Sequence, residues 1–303
     1  MRKVITVLLL LATANSSVSA QAGSAKLVAE FDLKPLGVKV PPSGDASRTS
    51  IEILFLSDSH LVLLDSNNPP DGRGDTQLAL YEIGGGIARL KRMVSSVEGF
   101  VPISVTGPRP ERVLEWMDSE HFAYWTYLGK ARRWLCDANL NCKEDTEEAE
   151  AEPLSHVVNC DSNNFLGYIS AQRAVCLVPG THTKWSAVVT DPDGHRIYEV
   201  EHEAMQWDAL MVKSVQGSRF GLVWESNTFF QLLKPFACID DCPPAGRQQF
   251  VVFNADNGRM VQSFAWDPRP YNLYVLPALS PSGKTTAFVS KDKLEVYLLG
   301  MPS

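Results

Sequence analysis

The 303-residue chain lacks any later apolar run approaching the roughly eighteen residues that a membrane-spanning helix needs, so no segment past the leader is expected to cross a bilayer. No stretch keeps a 3.6-residue apolar period for long, which argues against helices of any length. Beyond the leader no Asn-x-Ser/Thr acceptor occurs, since the match at Asn15-Ser16-Ser17 falls inside it, and this fits a bacterial exporter better than a eukaryotic one. There is no Gly-x-Ser-x-Gly elbow, no phosphate loop and no His-Glu-x-x-His, so no standard catalytic signature is carried. Positive charge is also in short supply. Lys and Arg number 28 against 35 Asp and Glu, a formal −7, and removal of Arg2 and Lys3 with the leader gives 26 − 35 = −9. With no basic patch or stripe apparent, that balance argues against nucleic acid or an anionic membrane as partner.

The leader is residues 1–20. Arg2 and Lys3 form its charged start, Val4 to Ala14 its apolar stretch, and Val18-Ser19-Ala20 a small-residue cleavage site ahead of Gln21. No cysteine follows closely, so a lipid-modified terminus is not expected. Residues 21–303 then read as one exported, soluble domain in a periplasmic or extracellular, bacterial setting.

All six cysteines lie in that part: Cys136, Cys142, Cys160, Cys176, Cys238 and Cys242. An even count in an exported chain reads first as disulfides. Many pairings are open, but the cysteines come in neighbouring couples, and Cys136 with Cys142, Cys160 with Cys176 and Cys238 with Cys242 is the expected set. The first and last close rings too short to contribute much chain entropy. A zinc site would need histidines at suitable spacing, and neither Cys136 to Cys142 nor Cys238 to Cys242 has a nearby His partner. No metal and no cofactor is therefore expected.

What the chain does have is repetition. Five times an apolar strand runs into a small polar turn and out again as a second apolar strand. Ile53-Leu-Phe-Leu-Ser-Asp-Ser-His60-Leu-Val-Leu-Leu64 is echoed by Val113-Leu-Glu-Trp-Met-Asp-Ser-Glu-His121-Phe-Ala-Tyr-Trp125, with weaker copies at Phe165 to Val178, Met211 to Trp224 and Leu276 to Val289. The turns recur every 45 to 65 residues or so, about the upper range for one supersecondary unit of a β array. Each pair continues into a second hairpin, as at Asp191-Pro-Asp-Gly194 and Asn254-Ala-Asp-Asn-Gly258, where glycine supplies the positive φ a tight turn needs. Four strands per repeat predict an all-β propeller. Five blades are countable, and six or seven follow if the long intervals conceal degenerate ones.

The last repeat has three strands and then the chain stops. Lys26-Leu-Val-Ala-Glu-Phe-Asp-Leu33, a strand without a hairpin partner, is expected to complete that blade and close the ring. Residues 143 to 152 carry six acids and are expected to be an exposed acidic insertion rather than a strand. A second insertion, near 226–247, would be tied by Cys238 and Cys242. Residues 35 to 47, with Pro35, Pro41, Pro42 and Gly44, read as an extended connector.

Phe250-Val-Val-Phe-Asn-Ala-Asp-Asn-Gly-Arg-Met-Val261 and Ala278-Leu-Ser-Pro-Ser-Gly-Lys-Thr-Thr-Ala-Phe-Val-Ser-Lys-Asp-Lys-Leu-Glu-Val-Tyr297 resemble repeats of WD40-like and related bacterial β-propellers. The resemblance, strongest in the C-terminal third, implies a rigid platform that binds proteins, peptides or small ligands, although some propellers are enzymes.

Candidate chemistry is sparse. Asp58, Ser59 and His60 are adjacent, and a polar turn explains them better than a triad, whose members come from separated segments. His195, His202, Glu201 and Glu203 could offer metal ligands, but a strand sends Glu201 and Glu203 to the face opposite His202. Asp191, Asp193 and Gly194 lack the remaining positions of a calcium loop and read as a turn. Arg73-Gly74-Asp75 matches an adhesion tripeptide that occurs often by chance. Trp116, Tyr124, Trp125, Tyr127 and Trp134 crowd one repeat, and such aromatics suit either a ligand-binding surface or packing between blades. The expected function is a non-catalytic, monomeric platform for a protein or envelope ligand. The alternative is an exported hydrolase or lyase acting on peptide or carbohydrate, with acids and histidines converging from several blades.

Overall fold

The computed structural model describes residues 25–33, 49–67, 75–84, 87–95, 114–127, 131–145, 165–179, 185–204, 209–214, 216–225, 248–266, 277–290 and 293–300. All regular structure among them is β. Blade 1 is β2 (Thr49–Ser57), β3 (His60–Asn67), β4 (Asp75–Gly84) and β5 (Ile87–Ser95). Blade 2 is β6 (Leu114–Trp116), β7 (His121–Tyr127), β8 (Ala131–Asp137) and β9 (Cys142–Asp145). Blade 3 is β10 (Phe165–Ser170), β11 (Arg173–Pro179), β12 (Trp185–Thr190) and β13 (Arg196–Ala204). Blade 4 is β14 (Ala209–Lys213), β15 (Arg219–Glu225), β16 (Gln248–Asn254) and β17 (Met260–Trp266). Blade 5 takes β18 (Ala278–Leu279), β19 (Thr285–Ser290) and β20 (Lys293–Leu298) from the end of the chain and β1 (Lys26–Asp32) from its beginning. Each blade is one four-stranded antiparallel sheet, and the five make a propeller ring.

The middle strands read as unbroken apolar runs because blades stack face to face and bury both faces of each sheet, as happens wherever a sheet is covered on two sides. In β3, Leu61 and Leu63 enter the core shared with blades 4 and 5, while Val62 and Leu64 enter the core shared with blade 2. In β16, Phe250 and Val252 pack toward blade 5, and Val251 and Phe253 toward blade 3. A run of four apolar residues therefore serves two interfaces at once. Blades 4 and 5 are joined by a ring cluster of Phe250, Phe264, Phe288 and Tyr297, with centroids 5.0–6.2 Å apart. Aromatic pairs in such offset and edge-on arrangements add to the area they bury.

The N-terminal strand closes the ring as expected. β1 lies antiparallel to β20, with Ala29 opposite Val296 and Phe31 opposite Leu294. Its neighbours on both sides hold it: Gln262 Oε1 of blade 4 accepts from Ala25 N at 3.2 Å, and the Phe31 ring sits 5.1 Å from Tyr81 of blade 1.

The acidic stretch departs from expectation at its start. Lys143, Glu144 and Asp145 belong to β9, the fourth strand of blade 2, rather than to a solvated insertion. Mutual repulsion among the acids is outweighed here by cations on the neighbouring strand: Arg133 Nη1 lies 3.3 Å from Asp145 Oδ2, and Arg132 Nε lies 3.6 Å from Glu144 Oε1. Cys136 and Cys142, directly opposite in register, form a disulfide across the same hairpin. Cys176 is also disulfide-bonded, to a partner outside the described residues. Cys160, Cys238, Cys242, residues 146–152, the connector 35–47 and the segment 226–247 lie outside the described residues.

Candidate functional site

Antiparallel order sorts the connections to two ends of the ring. In every blade the turn between the first and second strands, and in blades 1 to 4 the turn between the third and fourth, leave at one end, while the link between second and third strands and the link to the next blade leave at the other. The turn end is short and polar, and one chemical device recurs there. A small oxygen-bearing side chain at the close of the blade's first strand accepts from backbone N–H groups of the turn, which is how Ser and Asp stabilise tight turns. Ser57 Oγ accepts from Ser59 and His60, Asp118 Oδ1 from Glu120 and His121, Ser170 Oγ from Gln172, Ser214 Oγ from Arg219, and Ser280 Oγ from Thr285.

The turns are also bonded from blade to blade. Asp58 of blade 1 accepts from Ser282 Oγ of blade 5 at 2.7 Å, and Ser218 Oγ of blade 4 donates to Ser282 O at 2.8 Å. Ser218 O in turn accepts from Ala255 N, and Ala255 O accepts from Arg173 Nη1 of blade 3 at 2.7 Å and from Tyr198 Oη. Gly258 allows that approach, because a Cβ there would stand 2.7 Å from the Tyr198 ring. On the other side of blade 1, Trp116 Nε1 of blade 2 donates to Leu56 O at 3.1 Å, and Arg92 Nη2 donates to Asn141 Oδ1 at 3.3 Å. A belt of hydrogen bonds thus runs through blades 2, 1, 5, 4 and 3.

Titration follows these contacts. Burial works to raise Asp58, but the Ser282 and Ser280 hydroxyls hold it below its ordinary value. Asp118 is lowered by the N–H of Glu120 and the His121 ring, and Asp137 by the N–H of Asn141. Burial works to raise Asp191, but the N–H and ring of His195 together hold it below its ordinary value. Burial pushes Tyr198 up to about 12.

The adjacent Asp58, Ser59 and His60 make no triad. The His60 ring contacts Ser57 Oγ at 3.1 Å and Ser59 Oγ at 3.2 Å, while Asp58 turns to blade 5. His121 Nδ1 contacts Asp118 at 2.9 Å and His195 Nδ1 contacts Asp191 at 3.1 Å, so each of these histidines engages its own turn. Asp191, Asp193 and His195 do bring three potential ligand atoms within 4.8 Å of one another. That mixed oxygen and nitrogen set, in an exposed turn, is where a cation could be held. The side chains of Glu201, His202 and Glu203 lie outside the described residues, as do Arg73 and Gly74; Asp75 opens β4.

The five aromatic candidates divide. Tyr124 is 1% exposed and its ring lies parallel to that of Trp134, 6.1 Å away. Trp116 and Trp134 are half-buried against the same core between blades 1 and 2. Trp125 and Tyr127 occupy β7 opposite Arg133 and Ala131, and their side chains lie outside the described residues. The contacts that join the turns were not readable in the sequence, because partners such as Asp58 and Ser282 are 224 positions apart.

No protein-family profile matches the chain, and no curated protein does. Solved structures similar to it include the β-propeller domain of the Trilobed protease from Pyrococcus furiosus, at 9% identity over 82% of this chain and 69% of that one with a TM-score of 0.25. The catalytic domain of a GH62 α-L-arabinofuranosidase from Coprinopsis cinerea is similar at 8% identity, 92% and 97% coverage and a TM-score of 0.32. The WD40 domain of SCAP from fission yeast follows at 10% identity, 84% and 74% coverage and 0.20. Likenesses so distant transfer no activity, and the propeller rests on strand order itself.

Proposed function

We propose that this five-bladed propeller is a non-catalytic, exported, monomeric binding platform for a protein or envelope ligand, and that the ligand is taken at the end opposite the hydrogen-bonded turns. The observation that carries this reading is the sorting of connections. The links 96–113, 146–164, 226–247 and 267–277 all leave from one end, while the other is tied down by short turns bonded between blades. Long connections on a rigid scaffold are where recognition is usually placed. Export is supported by the leader-like residues 1–20 and by the disulfides. The hydrolase or lyase alternative needs titratable groups converging from several blades; among the described residues His60, His121 and His195 each bond within their own turn.

The test is affinity capture from the native exported fraction with the oxidised protein, beside a variant whose residues 226–247 are replaced by a short Gly/Ser link. A protein partner held by the first and lost by the second is expected. Retention of polysaccharide or small molecules alone would overturn the platform reading and redirect work to a substrate screen.

A further inference from the structure

Charge and apolar exposure are not spread evenly over the five outermost strands. β5 carries Arg89, Lys91 and Arg92 and no acid, whereas β1, β9 and β13 mix acids with their cations and β17 has no charge at all. The net count of −7 hides this strand. Apolar exposure concentrates on it too: Ile87 is 54% exposed, Leu90 43% and Met93 43%, and among the described residues no other strand shows more than one large exposed apolar side chain. β5 ends its sheet, pairing with β4 alone, so one row of its backbone N–H and C=O groups faces outward. Such an edge is a template for an added strand, with the main chain supplying affinity and alternate side chains supplying choice.

Existing contacts leave room for this. Glu82 pairs with Lys91 at 3.1 Å from β4 and also feels the charge of Arg89, while Arg92 reaches Asn141 and acts on Asp137. Two acids, Glu82 and Asp137, therefore stand against three cations, and the surplus sits beside the exposed Ile87 and Leu90. The register shift between Leu80 and Tyr81, which sets Leu80 opposite Arg92 and Tyr81 opposite Leu90, places Lys91 at a bulge. A bulge and a lysine are also devices that guard an edge against self-pairing, so the partner must contribute acids to overcome them.

We propose that the β5 edge binds an extended acidic segment of a partner protein, with acids against Arg89, Lys91 and Arg92 and apolar residues between them on the face of Leu90 and Met93. This surface is distinct from the end carrying the long connections, and it deepens the platform reading on which it rests by naming a partner chemistry. An anionic membrane would meet the same charges, but only a peptide strand would also use the outward row of backbone groups.

The experiment measures fluorescence anisotropy of a short labelled peptide in which Glu alternates with Val, with its Lys-for-Glu counterpart as control, on the intact oxidised protein. Binding of the acidic peptide alone is expected, weakening with salt, and falling about tenfold in the R89E/K91E variant because two exposed attractions become repulsions. The milder K91Q should give a smaller loss, and circular dichroism melts verify that both variants fold. Equal binding of both peptides, no binding, or unchanged affinity in R89E/K91E would overturn the proposal. Retention of phosphatidylglycerol vesicles with no peptide binding would overturn it in favour of a membrane. Since residues 226–247 are untouched, failure here leaves the capture experiment standing, and the reverse also holds.

Discussion

Gly283 in the turn between β18 and β19 sits at φ 72°, where an L side chain is strained, and a Cβ built on it would stand 2.7 Å from Ser218 Oγ and 3.2 Å from Arg219 Cβ and Cγ. Replacing it with alanine should therefore cost twice. The left-handed backbone adds about 1–2 kcal/mol. Displacing Ser218 weakens its bond to Ser282 O, roughly another 1 kcal/mol. A loss of about 2–3 kcal/mol follows, which for a domain of this size lowers Tm by about 4–12 °C. Urea titration monitored by tryptophan fluorescence reads the loss directly. Gly84 is the control: it has nothing within 4 Å of a Cβ, so G84A should stay within about 0.5 kcal/mol of the parent. S218G should relieve the steric part and leave the backbone part, so the double variant should be more stable than additivity predicts, by about 1 kcal/mol. A G283A protein as stable as G84A would refute the close docking of blades 4 and 5 at their turns.

Two further outcomes are expected. Asp58, Asp118, Asp137 and Asp191 are all held below the ordinary 3.8 in the folded chain, so the unfolded chain binds more protons in that window. Their contribution is complete above that value and fades as pH falls through the lowered folded values. Urea midpoints measured across the acid range should drop accordingly, and D118N and D137N should each flatten the slope; an unchanged slope would contradict the assignment. Removing the Cys136–Cys142 bond as C136S/C142S should cost about 2 kcal/mol, because the ring it closes is short, and the check is a shifted urea midpoint relative to the oxidised parent.

Much of the ring is legible in sequence because the signals are local. Leu61 to Leu64 and Phe250 to Phe253 read as apolar strands, Asn254 to Gly258 as a hairpin turn, and Lys26 to Leu33 as a strand in need of a partner, and each takes its expected place. What sequence hid depends on distant neighbours. β9 reads as a solvated acidic run until Arg132 and Arg133 are seen beside it. Tyr124 and Trp134 could serve a ligand or a core equally well by composition, and only the position of blade 1 puts Tyr124 in the interior. The three cations of β5 vanish in a net negative count and stand out only once that strand is known to be an edge.

The most direct test of the account is hydrogen–deuterium exchange on the oxidised protein with and without its captured partner. Protection confined to the connections 96–113, 146–164, 226–247 and 267–277, with or without the β5 edge, is the predicted result. Protection centred instead on the turns at Ser57–His60, Asp118–His121, Ser214–Arg219 and Ser280–Thr285 would contradict it and place recognition at the hydrogen-bonded end of the ring.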